Sequence, residues 1–207
     1  MSYVDFPETR ELTARTLSLD SALFRYPYRV RVQDSKAIVF DLHGTDYFFH
    51  VFHYPGFHYL SSFGKRGDAP EEMLSAENLR WNGNFLWTLD SNKSELTRLG
   101  FASSSDSLLR LEAVRLDEEL LRALDFVQYD DSTFIIPDYS GDGRFCLVSR
   151  QGKLLRKIGT IPTTNEDALK SACPALAQAW RSFIDYNPRN GVLAAVTQLG
   201  EVLEIYN

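Results

Sequence analysis

Cysteine is almost missing. Cys146 and Cys173 are the two in 207 residues, which excludes a disulfide-stapled scaffold and allows one intrachain bridge at most; two thiols are the expected state. Long apolar runs are missing too. Nothing in the sequence could cross a bilayer as a helix, and residues 1–15 lack the basic-then-apolar layout of a signal peptide, so the chain as written reads as soluble and unexported. Basic charge is thin: Lys and Arg number 22 against 28 Asp and Glu, a net charge of −6. Beyond Lys65-Arg66 there is no basic stripe, so phosphate backbones meet no broad attraction and nucleic acid is not an expected partner. No G-x-S-x-G elbow, P-loop, dinucleotide fingerprint or H-E-x-x-H occurs, so no catalytic or cofactor-binding residue is assigned.

Aromatic residues, by contrast, are plentiful. Phe, Tyr and Trp make up 13% of the chain and gather in short segments bounded by Gly, Asn, Asp and Pro, the punctuation of strands and turns. Three apolar runs each end in aspartate: Ala37-Ile38-Val39-Phe40-Asp41, Leu86-Trp87-Thr88-Leu89-Asp90 and Phe134-Ile135-Ile136-Pro137-Asp138. Their aspartates lie 49 and 48 residues apart. Four short strands and their turns fill about 40 to 50 residues, so this spacing is that of a propeller blade. A fourth run, Val192-Leu193-Ala194-Ala195-Val196-Thr197, comes after a longer interval.

Each run is the second strand of a unit. Inner strands are predicted at 28–33, 78–81, 124–129 and 183–186, third strands at 47–52, 95–99, 144–149 and 202–206, and outer strands at 57–63, 108–116 and 153–158. His43-Gly44, Tyr54-Pro55-Gly56, Gly141-Asp142-Gly143, Gln151-Gly152 and Asn190-Gly191 supply turn chemistry at the joints. Two stretches read as helical instead. One is 117–124; the other opens at a capping-box pattern, Thr163-Thr164-Asn165-Glu166, with Leu169, Ala172 and Leu176 on one face and a break at Pro174. The predicted fold is therefore all-β: one domain over 1–207 made of four-stranded antiparallel β-propeller blades, three complete and a fourth partial, with a short helical insertion. The blades fall at about 20–75, 76–116, 123–160 and 181–207, and the insertion at about 163–180.

The segment Phe63-Gly64-Lys65-Arg66-Gly67-Asp68-Ala69-Pro70-Glu71-Glu72 resembles the exit loop of NHL-like and TolB-like six-bladed propellers. Gln178-Ala179-Trp180, Asn187-Pro188 and Leu203-Glu204-Ile205-Tyr206 resemble a blade of the uncharacterised TolB-like propellers common in Bacteroidetes. The likeness spans about residues 20–207. Full members of that family have six blades and usually an export or lipoprotein leader, so the chain resembles the N-terminal half of one. The resemblance implies a binding or scaffold role in the cell envelope or periplasm and supplies no catalytic residues.

Several constellations invite chemistry. His43, His50, His53 and His58 fall close together, but strand alternation sends His50 and His53 to opposite faces, leaving only a cross-hairpin pair such as His50 with His58; no metal ligand is assigned. Asp138-Tyr139-Ser140-Gly141-Asp142-Gly143 starts like a calcium loop, yet Ser149 stands where a bidentate Glu is needed, and it reads as a hairpin turn. Arg66-Gly67-Asp68 spells an adhesion tripeptide inside the exit loop, where Gly64 and Gly67 supply backbone freedom and Pro70 stiffness. Asp41, Asp90 and Asp138 are expected to hold turn amides, with a channel-facing metal role as the alternative. Tyr26 and the set Tyr28, Arg29, Arg31, Arg80 and Trp81 lie on the inner strands of the first two units, the channel face of a propeller, and are the candidate ligand contacts. The functional expectation is a non-catalytic binding or scaffold module; the runner-up is a metal-dependent propeller hydrolase or lyase.

The ends pose a final question. The fourth unit has no outer strand, and residues 12–19, strand-like in composition, could complete it and close a four-bladed ring. The six-bladed resemblance favours an open half-ring, with apolar blade faces uncovered and a homodimer as the consequence.

Overall fold

Apolar runs separated by tight turns fold back on themselves as hairpins, and the computed structural model, which describes residues 8–17, 24–163, 165–171 and 173–207, carries this through the chain. The first sheet contains β1 (Pro27–Gln33), β2 (Lys36–Asp41), β3 (Tyr47–His53) and β4 (His58–Lys65). A second follows with β5 (Ala76–Asn82), β6 (Phe85–Asp90), β7 (Glu95–Phe101) and β8 (Leu108–Arg115). The third comprises β9 (Val127–Gln128), β10 (Thr133–Pro137), β11 (Phe145–Ser149) and β12 (Leu154–Ile158). Helices α1 (Glu166–Ser171) and α2 (Cys173–Ala179) then lead into β13 (Ser182–Asn187), β14 (Val192–Thr197) and β15 (Leu203–Tyr206). Every ladder is antiparallel and each sheet runs in chain order, so the architecture is all-β, a set of propeller blades.

Burial explains why the second strands were so apolar. Ala37 through Asp41 and Leu86 through Asp90 are buried without a break because each strand is flanked by partners in its sheet and covered by a neighbouring sheet. The outer strand β8 alternates instead, with Leu109 and Leu111 exposed and Val114 buried. Three apolar clusters fill the seams. Ile38, Phe40, Phe49, Val51 and Phe63 meet Leu79, Leu86 and Leu99 between the first two blades. Trp87, Leu89, Leu96 and Val114 meet Phe126, Phe134, Ile136 and Val148 in the next seam. Val127, Ile135 and Phe145 meet Ile184, Leu193 and Ala195 in the third. Each fully buried Phe, Leu or Ile contributes about 1.5–3 kcal/mol, so the seams dominate cohesion.

Among the described residues no apolar cluster joins the fourth sheet to the first. There Val30 and Val32 on β1 are 50% and 47% exposed, and Val196, Leu203 and Ile205 on the far face of the fourth sheet are 47%, 62% and 56% exposed. The far face of the first blade is covered only in part, where Phe24 and Phe57 pack on Ala37, Val39 and Phe52.

Two helical expectations change. Residues 117–124 form turns, because Asp117 accepts the Leu120 amide through its carbonyl and the Leu154 amide through its carboxylate, tying the segment to the third blade instead of winding it into a helix. The cap of α1 is Asn165, whose Oδ1 accepts the Ala168 amide at 3.0 Å, while Thr163 bonds the Asn165 amide. Pro174 stands in the first turn of α2, where a missing N–H is tolerated; Thr164, Ala172 and the side chain of Leu169 lie outside the described residues. In the third blade the inner strand shortens to Val127–Gln128. Residues 12–17 form no strand, and residues 18–19 lie outside the described residues. Within those described, β15 pairs with β14 alone and remains an edge.

Candidate functional site

Four inner strands converge, and their contact is polar. Arg29 on β1 donates through Nη1 to Asn78 Oδ1 on β5; Asn78 donates through Nδ2 to Asp125, just before β9; and Asp125 Oδ2 accepts the Ile184 amide of β13 at 3.0 Å. Asp125 Oδ1 also accepts from the Phe126 amide at 2.8 Å and Arg80 Nη2 at 3.1 Å. Arg80 continues to Asp185 Oδ1 at 2.7 Å and to the Ile184 carbonyl. Asn78 and Asp125 are both buried, so this relay exchanges water for fixed partners across all four blades.

At the end of the inner strands that carries their turns onto the second strands, a cleft of about 450 Å³ opens. Arg31 and Arg80 lie on its walls with Trp81, Tyr129 and Tyr186, and Asp130, Asp131 and Asp185 stand at its border. Tyr129 and Tyr186 contact one another across the third and fourth blades, ring centroids 5.3 Å apart. Burial, reinforced by the positive charges of Arg80 and Arg29, pulls Arg31 below its ordinary pKa, against a weaker opposing effect of Asp185 and Asp125.

Of the inner-strand residues picked out by sequence, Arg31, Arg80 and Trp81 line this cleft, and Tyr28 and Arg29 do not. Tyr28 lies edge-on to Phe40 and stacks on Tyr26. Arg29 turns toward Asn78 and lies over the ring of Phe183 at 5.7 Å.

Asp41, Asp90 and Asp138 hold amides. Asp41 accepts from the Arg25 and Tyr26 amides, Asp90 from Leu74, Ser75, Asn92 and Lys93, and Asp138 from Ser140 and Gly143. The Asp41 carboxylate therefore clamps the entry to its own blade and not a turn, Asp90 both the entry and the turn after its strand, and Asp138 the turn. In the fourth blade Thr197 holds the matching place and closes its turn onto Gly200 and Val202 through its hydroxyl. The calcium-like segment is a β10–β11 hairpin in which Lys157 Nζ reaches Ser140 at 2.6 Å and Asp142 at 2.8 Å.

The histidines scatter. His53 faces His58 across the β3–β4 hairpin, while His50 faces Ser62 and bonds its hydroxyl at 2.8 Å, so the cross-hairpin pair that alternation left open is His53 with His58 and not His50 with His58. Burial pushes His50 below its ordinary pKa, with Asp41 opposing. Arg66 of the tripeptide lies over Phe48 and donates to the Gly44 carbonyl.

Sequence reasoning missed Asn78 as a relay residue, Asp125, and the buried Arg144, which grips Glu204 of β15 through Nε at 3.0 Å and Ser182 of β13 through Nη2 at 2.6 Å. Their one available signal was a polar residue set among apolar neighbours in a predicted strand.

A family model described as TolB-like 6-blade propeller-like matches residues 5–207. Among solved structures, a Bacteroides fragilis protein named as exported is 8% identical with a TM-score of 0.53, covering 92% of this chain and 73% of its own. A Lactobacillus plantarum protein is 14% identical with a TM-score of 0.54, over 86% of this chain and 50% of its own. A Bacteroides vulgatus protein of the duf4221 family is 11% identical with a TM-score of 0.52, over 89% and 58%. At such identities the likeness is one of fold, and the chain spans about half the length of the latter two. A comparison with curated proteins gave no match.

Proposed function

The chain belongs to the TolB-like 6-blade propeller-like family, and from that premise we propose that it is a non-catalytic binding or scaffold module, one domain over residues 1–207, whose ligand enters the cleft between the inner strands. The supporting observation is an aromatic-walled cleft of about 450 Å³, within the roughly 300–1,000 Å³ range of small-molecule sites. Arg31, Arg80 and Trp81 are assigned as ligand contacts, and Tyr28 and Arg29 as the groups that support them from behind. The runner-up, a metal-dependent hydrolase or lyase, would draw on Asp41, Asp90 and Asp138, but amide donors already occupy those carboxylates.

The family and the neighbour named as exported support work in the cell envelope or periplasm. A second copy of the chain is the proposed protein partner, through the uncovered blade faces.

A thermal-shift panel of small molecules tests the binding reading. A ligand at a hundred times its Kd adds about 2.7 kcal/mol of stability, and Trp81→Ala removes that gain if the cleft is the site. A panel that shifts nothing counts against it. Stoichiometric metal retained through dialysis, and released when Asp90 or Asp138 is replaced together with a histidine, would move the assignment to the enzyme.

A further inference from the structure

We propose that the cleft takes a monocarboxylate carried on a flat apolar ring, with Arg31 binding the carboxylate; this deepens, and rests on, the binding-module reading. The charged groups around the cleft are unequally committed. Arg80 is taken up by Asp125, Asp185 and the Ile184 carbonyl, and Arg29 by Asn78. Arg31, between them in charge, forms no hydrogen bond or ion pair among the described residues, and its Nε is buried without a partner.

This half-buried guanidinium beside two other cations has no carboxylate in contact, since Asp185 and Asp125 pair with Arg80 and act on Arg31 only weakly. Its fork matches a carboxylate in two parallel N–H···O bonds. Trp81 Nε1 on the same cleft is likewise a buried donor without an acceptor. Arg80 Nε is a third such donor and Gln128 Oε1 an acceptor in the same state, all enclosed by protein, so the ligand's carboxylate is met by the Nη groups of Arg31, which have no partner among the described residues.

The remainder of the ligand follows from the walls. Trp81, Tyr129 and Tyr186 present flat faces suited to a ring. Asp130, Asp131 and Asp185 share the border, so a second negative charge on the ligand would meet repulsion. A single carboxylate is therefore favoured over a phosphate monoester.

Ligand-observed ¹⁹F NMR on the full chain, with 4-fluorobenzoate, 4-fluorobenzamide and 4-fluorophenyl phosphate as probes, tests this. Saturable broadening of 4-fluorobenzoate is expected, with the amide and the phosphate weaker by about tenfold or more. Arg31→Gln should weaken the benzoate by a similar factor and Arg31→Lys by less, with circular dichroism and Tm showing each variant folded. Equal binding of benzoate and benzamide, tighter binding of the phosphate, or an Arg31→Gln protein that holds benzoate unchanged overturns the inference. If ring binding then still disappears in Trp81→Ala, the binding-module reading stands while the carboxylate inference falls. No binding of any probe at millimolar concentration also overturns it, and the wider thermal-shift panel judges the binding reading separately.

Discussion

Asp125 serves three blades through one carboxylate, and the side chain has little slack. Its acceptor sites are taken by Asn78, Arg80, the Phe126 amide and the Ile184 amide. Asp125→Ala would strand these donors in a buried place, including an arginine, and should cost about 3–5 kcal/mol in denaturant unfolding. A loss below about 1 kcal/mol would show that the relay contributes little. His50 gives a prediction in pH. Its folded pKa lies below the ordinary 6.5, so the unfolded chain binds the proton more readily. The associated stability is fully present above that value and is lost as pH falls through the interval between the unfolded and folded values. His50→Gln should flatten the stability profile below pH 6.5 relative to the parent; an unchanged slope would assign that pH dependence elsewhere. These two residues also differ in how readable they were. Asp41, Asp90 and Asp138 announced themselves by period, whereas Asp125 meets partners 47 and 59 residues away, a relation that no one-dimensional pattern carries.

At the scale of strands, legibility followed burial. The second strands of the first three blades, buried along almost their whole length, were written as unbroken apolar runs and came out within a residue or so of their predicted limits. The inner strand of the third blade did not, because Leu124-Asp125-Phe126 looks like strand while Asp125 is spent on contacts to other blades instead of a ladder. The cleft was legible only as a set of inner-strand residues; which of them face it depends on packing across blades. The last blade depends on one tie in particular. Arg144 is buried and holds Glu204 of β15, Ser182 of β13 and the Trp180 carbonyl. Glu204→Ala leaves that guanidinium without its counter-charge and should destabilise by about 3–5 kcal/mol, while the double change Arg144→Met with Glu204→Leu should recover much of the loss. A double variant as unstable as the single would mean that the strand is held by something else. Gly152 marks the joint between the second and third blades: at φ +84° an added Cβ would lie 2.0 Å from the Arg115 carbonyl oxygen. Gly152→Ala is expected to lower Tm through that clash.

Among the described residues, three seams are filled by apolar clusters and the faces of the first and fourth sheets that look away from them are not. Val30 and Val32 lie exposed on the first sheet, and Val196, Leu203 and Ile205 on the fourth. Apolar faces of this kind favour association, so sedimentation at tens of micromolar is expected to report a homodimer, and Val196→Lys with Leu203→Lys a monomer. A compact monomer in the parent protein would refute the proposed second-copy partner.

The polar relay also bears on the order of events in folding. Each blade is a succession of hairpins whose pairings are short-range in sequence, but the Arg29–Asn78, Asn78–Asp125 and Asp125–Ile184 links bridge 49, 47 and 59 residues. Loop closure makes such links late, after the hairpins have formed. Substitutions in the relay should then have φ-values near zero, speeding unfolding while hardly changing the folding rate. The relay would thus act as a kinetic latch: dispensable for reaching the native arrangement, and decisive for how long the blades stay in it.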